Sequence, residues 1–150
     1  MKQSTPLPKH NPAALLRTHG LRVTPQRLAV AELVFSKPMH VTARIVHEQI
    51  KLAHPAVSMN TVYLTLGQFE ACGLLNRFEV HGNIVFDSNT KPHDHACCNR
   101  CGTIIDLDSS QPESSKHTAP EPAQLKQWQV EGERRIWVGL CPACSSKSVL

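Results

Sequence analysis

From residue 12 to residue 71, apolar positions recur at helical spacing. Each run is bounded by a capping residue in front and a breaker behind. Asn11-Pro12 supplies a cap and a proline at the first helical position, and Gly20 supplies a stop, which predicts a helix over about 12–19 carrying Leu15 and Leu16. Thr24-Pro25 repeats the signal for a second helix, with Leu28, Ala31 and Val34/Phe35 on one face and Lys37-Pro38 at its end. Thr42 caps a third helix that buries Ile45, Val46 and Ile50 and is closed by His54-Pro55. Ser58 caps a fourth, over about 59–71, ended by Gly73. In that helix Val62, Leu66 and Phe69 fall at i, i+4 and i+7 and face the core. Asn60, Tyr63, Leu64 and Gly67 share the opposite face.

Leu74–Val80, then His81-Gly82-Asn83, then Ile84–Phe86 read as strand, tight turn, strand. Helices followed by a hairpin predict a winged helix-turn-helix with the fourth helix as its recognition helix. The outward face of that helix supports this, because it lacks the salt-bridging charges of a solvated surface. Asn60 suits an adenine edge, Leu64 a thymine methyl, and Tyr63 a base or phosphate, while Arg77 on the wing suits a phosphate. The candidate DNA-contacting set is Arg22, Arg27, Ser58, Asn60, Thr61, Tyr63, Leu64 and Arg77. An under-charged surface helix is the plainer alternative.

Residues 87–95 read as a linker. Thr103–Leu107 and Arg135–Leu140 read as strands, 108–122 as a polar, proline-bearing loop, and Ala123–Gln129 as a short helix. The fold class is thus α+β: an N-terminal winged helix-turn-helix, then a small α/β domain. The expected division is a flexible arm at 1–11, a DNA-binding domain at 12–87, a hinge at 88–95 and a second domain at 96–150.

Charge sharpens the picture. The net charge is +4, and residues 1–90 hold 9 Lys/Arg against 5 Asp/Glu, whereas residues 91–150 hold 7 of each. The excess lies where a polyanion would be met. No apolar run is long enough to span a bilayer and the polar N-terminus has no signal-peptide core, so a cytoplasmic protein is expected.

Six cysteines without a secretion signal point to metal binding rather than disulfides. Cys98/Cys101 and Cys141/Cys144 form two C-x-x-C knuckles 39 residues apart. Two knuckles complete a tetrahedral structural zinc site. A redox C-x-x-C is the rival, but it needs only one pair. Cys72 and Cys97 are left over. Around the first knuckle lie Asp87, His93, Asp94, His95 and Asp106, a nitrogen and oxygen set suited to a second, more exchangeable ion.

Val23-Thr24-Pro25-Gln26-Arg27, Ser58-Met59-Asn60-Thr61-Val62-Tyr63, and His93-Asp94-His95 leading into Cys98-Asn99-Arg100-Cys101-Gly102 together resemble the ferric uptake regulator family. The resemblance runs from about residue 12 to Cys144. It implies a homodimeric, metal-responsive transcription regulator, by default a repressor, whose second domain dimerises and whose partner is a palindromic duplex operator.

The chain is most similar to the family's peroxide-responsive branch. That likeness implies a regulatory site of His40, Asp87, His93, His95 and Asp106, holding Fe(II) or Mn(II). It also implies that peroxide, the one small molecule expected to react, oxidises His40 and His93 when Fe(II) is bound. Asp87 favours this branch, since iron-responsive relatives usually carry Glu there. Each ligand has a plainer reading: His40 precedes a helix cap, and Asp106 on a strand could pair with Arg134 or Arg135. The remaining histidines, His10, His19, His47, His54, His81 and His117, read as surface residues.

The chain departs from the family pattern at Leu64, where relatives often have Arg or Asn, and in 108–122, where relatives usually have a helix. Asp94, Glu113 and Glu133 stand about where iron-responsive relatives bind a further metal. An iron- or zinc-responsive repressor is the nearest alternative function. A zinc hydrolase or deaminase is the remote one. A deaminase would want His-x-Glu well upstream of Pro-Cys-x-x-Cys, whereas here His47-Glu48 are adjacent and the knuckle is Cys-Pro-Ala-Cys.

Overall fold

Short polar side chains start the helices as their spacing predicts. The computed structural model describes residues 11–107, 127–129 and 135–146, in two units divided between Thr90 and Lys91. In the first unit Asn11 Oδ1 accepts the amides of Ala13 and Ala14 and opens helix α1, Pro12–Thr18. Thr24 opens α2, Pro25–Val34, and Thr42 opens α3, Ala43–Ile50. Ser58 opens α4, Met59–Ala71. Each hydroxyl satisfies an amide that the first helical turn leaves without a partner. At the far end of α4, Gly73 sits at φ +72° and lets the Leu74 amide reach back to the Phe69 carbonyl at 2.9 Å.

Leu16, Val30, Val34, Val46, Val62, Leu66 and Phe69 have no exposed surface and form one core with Phe86. Val62, Leu66 and Phe69 therefore lie where their spacing put them. Ile45 does not: it is 38% exposed, and α3 buries Val46 and Ile50 instead. The helix stops at Ile50, ahead of His54-Pro55. His47 is half-buried rather than a surface residue. Its Nε2 lies 2.9 Å from the Val57 carbonyl and fixes the connection between α3 and α4.

A three-stranded antiparallel sheet completes this unit. It contains β1, His40–Val41, β2, Asn76–Val80, and β3, Asn83–Asp87, in the order β1-β3-β2. The β2–β3 turn places His81 at φ 51° and Gly82 at φ 71°. That doubly left-handed turn matches the twist of the flanking strands. The two-residue β1 was not legible in the sequence, yet it sets His40 directly opposite Asp87.

The second unit is another three-stranded sheet, order β5-β4-β6. Its central strand β4, Asp94–Cys98, starts inside the stretch that reads as linker. It runs antiparallel to β5, Ile104–Leu107, and parallel to β6, Ile136–Gly139. A single turn, α5, Pro142–Ser145, follows β6. The expected helix over 123–129, the loop 108–122 and most of the N-terminal arm fall outside the described residues. No helix among the described residues is long and apolar enough to cross a membrane.

Candidate metal centres and nucleic-acid interface

Both knuckles are built by backbone geometry. The β4–β5 turn closes through Gly102 at φ +72°, whose amide donates to the Cys98 carbonyl at 3.0 Å. The second knuckle closes through the Cys144 amide to the Cys141 carbonyl at 2.9 Å. Arg100 Nη1 donates to the Cys144 carbonyl at 2.6 Å and ties one knuckle to the other. All four sulfurs lie within 4.8 Å of one another, and Cys101 Sγ is 3.7 Å from Cys141 Sγ. Tetrahedral zinc at about 2.3 Å from each sulfur needs them about 3.8 Å apart.

The electrostatics suit a cation. Amide hydrogen bonds, first from Cys101 and then from Cys141 and Arg100, pull the Cys98 thiol down to about 5. Its Sγ accepts the Cys141 amide at 3.3 Å. The Thr103 hydroxyl, 3.1 Å away, lowers Cys101 as well. Cys144, sharing a hydrogen bond with the Cys141 side chain and buried besides, is pushed up to about 12. Uncompensated negative charge thus collects on some sulfurs and is refused by another, until a dication neutralises the set. Four thiolates fill a zinc coordination sphere and leave no place for a reactive water, which removes the hydrolase reading.

The nitrogen and oxygen donors fall into two sets, one in each unit. In the first unit His40 Nε2 lies 3.8 Å from Asp87 Oδ1 across the β1–β3 ladder. Asp87 is fully buried, its Oδ1 accepts the Asn89 amide at 2.7 Å, and the Phe78 ring stands edge-on to His40 at 6.1 Å. In the second unit His93 and His95, two residues apart, turn to the same side of the chain as it enters β4. The register sets Asp106 of β5 opposite His95. His93 Nε2 is 2.9 Å from His95 Nε2 and 3.3 Å from Asp106 Oδ1, and His95 Nε2 is 4.0 Å from that oxygen. The Nδ1–H of His93 donates to the Lys91 carbonyl at 2.6 Å, which leaves the Nε2 lone pair facing the other donors. Two imidazoles and a carboxylate converging on one point suit a divalent iron or manganese ion. Asp106 faces the two histidines here.

Around α4 the predicted DNA set divides. Asn60, Tyr63 and Leu64 are exposed, as are Arg22 and Arg77. Tyr63 is braced edge-on against Phe86 at 6.4 Å. Ser58 and Thr61 are engaged with each other at 2.9 Å, at the start of the helix. Arg27 is half-buried, and its guanidinium donates to the Arg22 carbonyl and, at 2.6 Å, to Gln68 Oε1 of α4. That bond ties α2 to α4, a pairing hidden in the sequence because Gln68 lies 41 residues away. Of the remaining metal and thiol candidates, Asp94 is half-buried at the start of β4, while Glu113 and Glu133 lie outside the described residues. Cys97 is buried, and that burial raises its thiol pKa. Cys72 Sγ points at the His19 carbonyl, 3.9 Å away.

A helical unit with a recognition helix and a hairpin wing, joined to a metal-binding sheet, defines a metal-responsive transcription regulator. The chain belongs to the ferric uptake regulator family, whose model matches residues 18–132. Members of this family are transcription regulators, not enzymes. Among curated relatives, the peroxide-responsive repressor PerR of Staphylococcus aureus is 30% identical over 135 residues, 89% of each chain. Among solved structures, the ferric uptake regulator of Vibrio cholerae is 26% identical with a TM-score of 0.66, covering 86% of this chain and 98% of its own. The Campylobacter jejuni peroxide stress regulator is 26% identical with a TM-score of 0.61, covering 87% of this chain and 97% of its own.

Proposed function

We propose that the protein is a cytoplasmic, homodimeric repressor that binds a palindromic duplex operator and releases it when peroxide oxidises its regulatory site. The single observation that carries this reading is the pair of donor sets, His40 with Asp87 and His93 with His95 and Asp106. The likeness to the peroxide-responsive branch implies that these donors hold one divalent ion, which would favour the DNA-binding conformation by its greater affinity for it. Cys98, Cys101, Cys141 and Cys144 would hold a separate zinc ion throughout. The likeness to the S. aureus peroxide-responsive repressor supports the peroxide branch, as does an aspartate at position 87.

In this reading Fe(II) held there would supply the electron-transfer chemistry that opens the peroxide O–O bond, with one oxygen passing to an imidazole carbon and the other leaving as water, so that the ring is the net two-electron reductant. The chain supplies the imidazole rings of His40 and His93, which take up one oxygen and lose their basicity as ligands. Mn(II) in the same place would support DNA binding without the oxidation.

The test is peptide mass spectrometry after a brief, low dose of peroxide on Fe(II)-loaded and Mn(II)-loaded samples, with DNA binding followed in parallel. A gain of one oxygen on the His40 or His93 peptide, in the iron sample only and together with DNA release, is expected. Unmodified histidines, with DNA binding that only tracks added metal, would instead make the protein an iron- or zinc-responsive repressor.

A further inference from the structure

The exposed face of α4 is chemically narrow. Its sequence, MNTVYLTLGQFEA, contains no Lys or Arg, and its one charge is Glu70. Leu64 is 56% exposed, and Met59 and Tyr63 are each 40% exposed on the same side. Tyr63 has Phe86 behind it. A leucine so exposed on a helix face leaves apolar surface in water that a polar residue would not.

In the major groove of duplex DNA the one apolar group offered by a base edge is the 5-methyl of thymine. Guanine, in contrast, is read chiefly by the paired donors of Arg or Lys, and α4 has neither. Residues 1–90 carry an excess of positive charge, which favours binding to a polyanion such as duplex DNA.

We infer that Leu64 is a specificity-determining residue that packs against a thymine 5-methyl group in each operator half-site. The inference rests on reading α4 as the recognition helix and deepens it, because it names the base group that α4 reads at this position. Asn60, one helical turn earlier, leaves an adenine edge as the companion contact. Arg27 ties α2 to α4 through Gln68 at 2.6 Å.

The experiment begins with full-length protein loaded with zinc and Mn(II), used to enrich an operator from a random duplex pool. Each thymine of that operator is then replaced singly by deoxyuridine, which keeps base pairing and removes only the methyl. At one thymine per half-site the affinity should fall about fourfold, the worth of one methyl group withdrawn from water. Replacement in both half-sites should cost about fifteenfold. In Leu64→Ala the loss at that thymine should vanish, while sensitivity elsewhere persists. Leu64→Asn should shift preference at the same base pair towards adenine. An operator with no methyl-sensitive thymine, or one whose sensitivity Leu64→Ala leaves intact, overturns the inference while DNA recognition stands. A pool that enriches nothing overturns both.

Discussion

Removing zinc should unfold the second unit and leave the first intact. Among its described residues, the buried side chains of the second unit are Cys97, Cys98, Cys144 and His95. No leucine, isoleucine, phenylalanine or methionine joins them, and Ile105, Trp137 and Val138 are each more than half exposed. The first unit instead buries a continuous apolar cluster running from Leu16 to Phe86. A structural zinc ion contributes about 10–16 kcal/mol of apparent binding free energy at neutral pH. A whole domain is stable by only about 5–15 kcal/mol. Loss of the ion therefore removes as much as the net stability of the small sheet. Cys98→Ser should act like chelation, because it replaces one of the four thiolate ligands with a hydroxyl that binds zinc far more weakly. Hydrogen–deuterium exchange with peptide mass spectrometry, on zinc-loaded, chelated and Cys98→Ser samples, reads the two units separately. Peptides over β4, β5 and β6 should lose their protection, while those over α2 and α4 keep theirs. Protection of β4 that survives verified loss of zinc would refute the argument, and would mean that other packing holds this sheet.

Further outcomes follow from local chemistry. Cys98, pulled down to about 5, is a thiolate at pH 7, whereas Cys144, pushed up to about 12, still holds its proton. Zinc uptake must expel that proton, so the apparent zinc affinity should rise at least about tenfold per pH unit near neutrality and steepen as the pH falls towards 5. Competition titrations against a chelator across pH 5–8 check the sign and the slope. In the wing, Gly82→Ala should cost about 1 kcal/mol, because an L side chain resists the left-handed φ of 71°. His81→Asn, at φ 51°, should be neutral or slightly stabilising, since asparagine tolerates that region. Thermal unfolding of the first unit should show the alanine variant lowered by about 4–8 °C.

The sequence by itself determined the helices of the first unit, because capping residues and prolines act within one turn of where they stand. Thr24-Pro25 and Ser58 mark helix starts whatever the rest of the chain does. The spacing of Val62, Leu66 and Phe69 likewise decided which face of α4 is buried. The two C-x-x-C knuckles were legible for the same reason, since each is a local turn that points two sulfurs one way. Only the tertiary structure decided what depends on register. Strand β1 is two residues long and carries no propensity signal, yet its pairing with β3 is what sets His40 against Asp87. Strand β4 starts inside the stretch that reads as linker because Asp94 and His95 resemble ligands rather than strand formers. Its pairing with β5 alone puts Asp106 opposite His95. Arg27 donates to Gln68 of α4, 41 residues away, a pairing that no local pattern contains. Local rules fix where an element begins and which face it hides. Which side chains meet across strands and helices is set by pairings between distant segments, and no short window of sequence contains them.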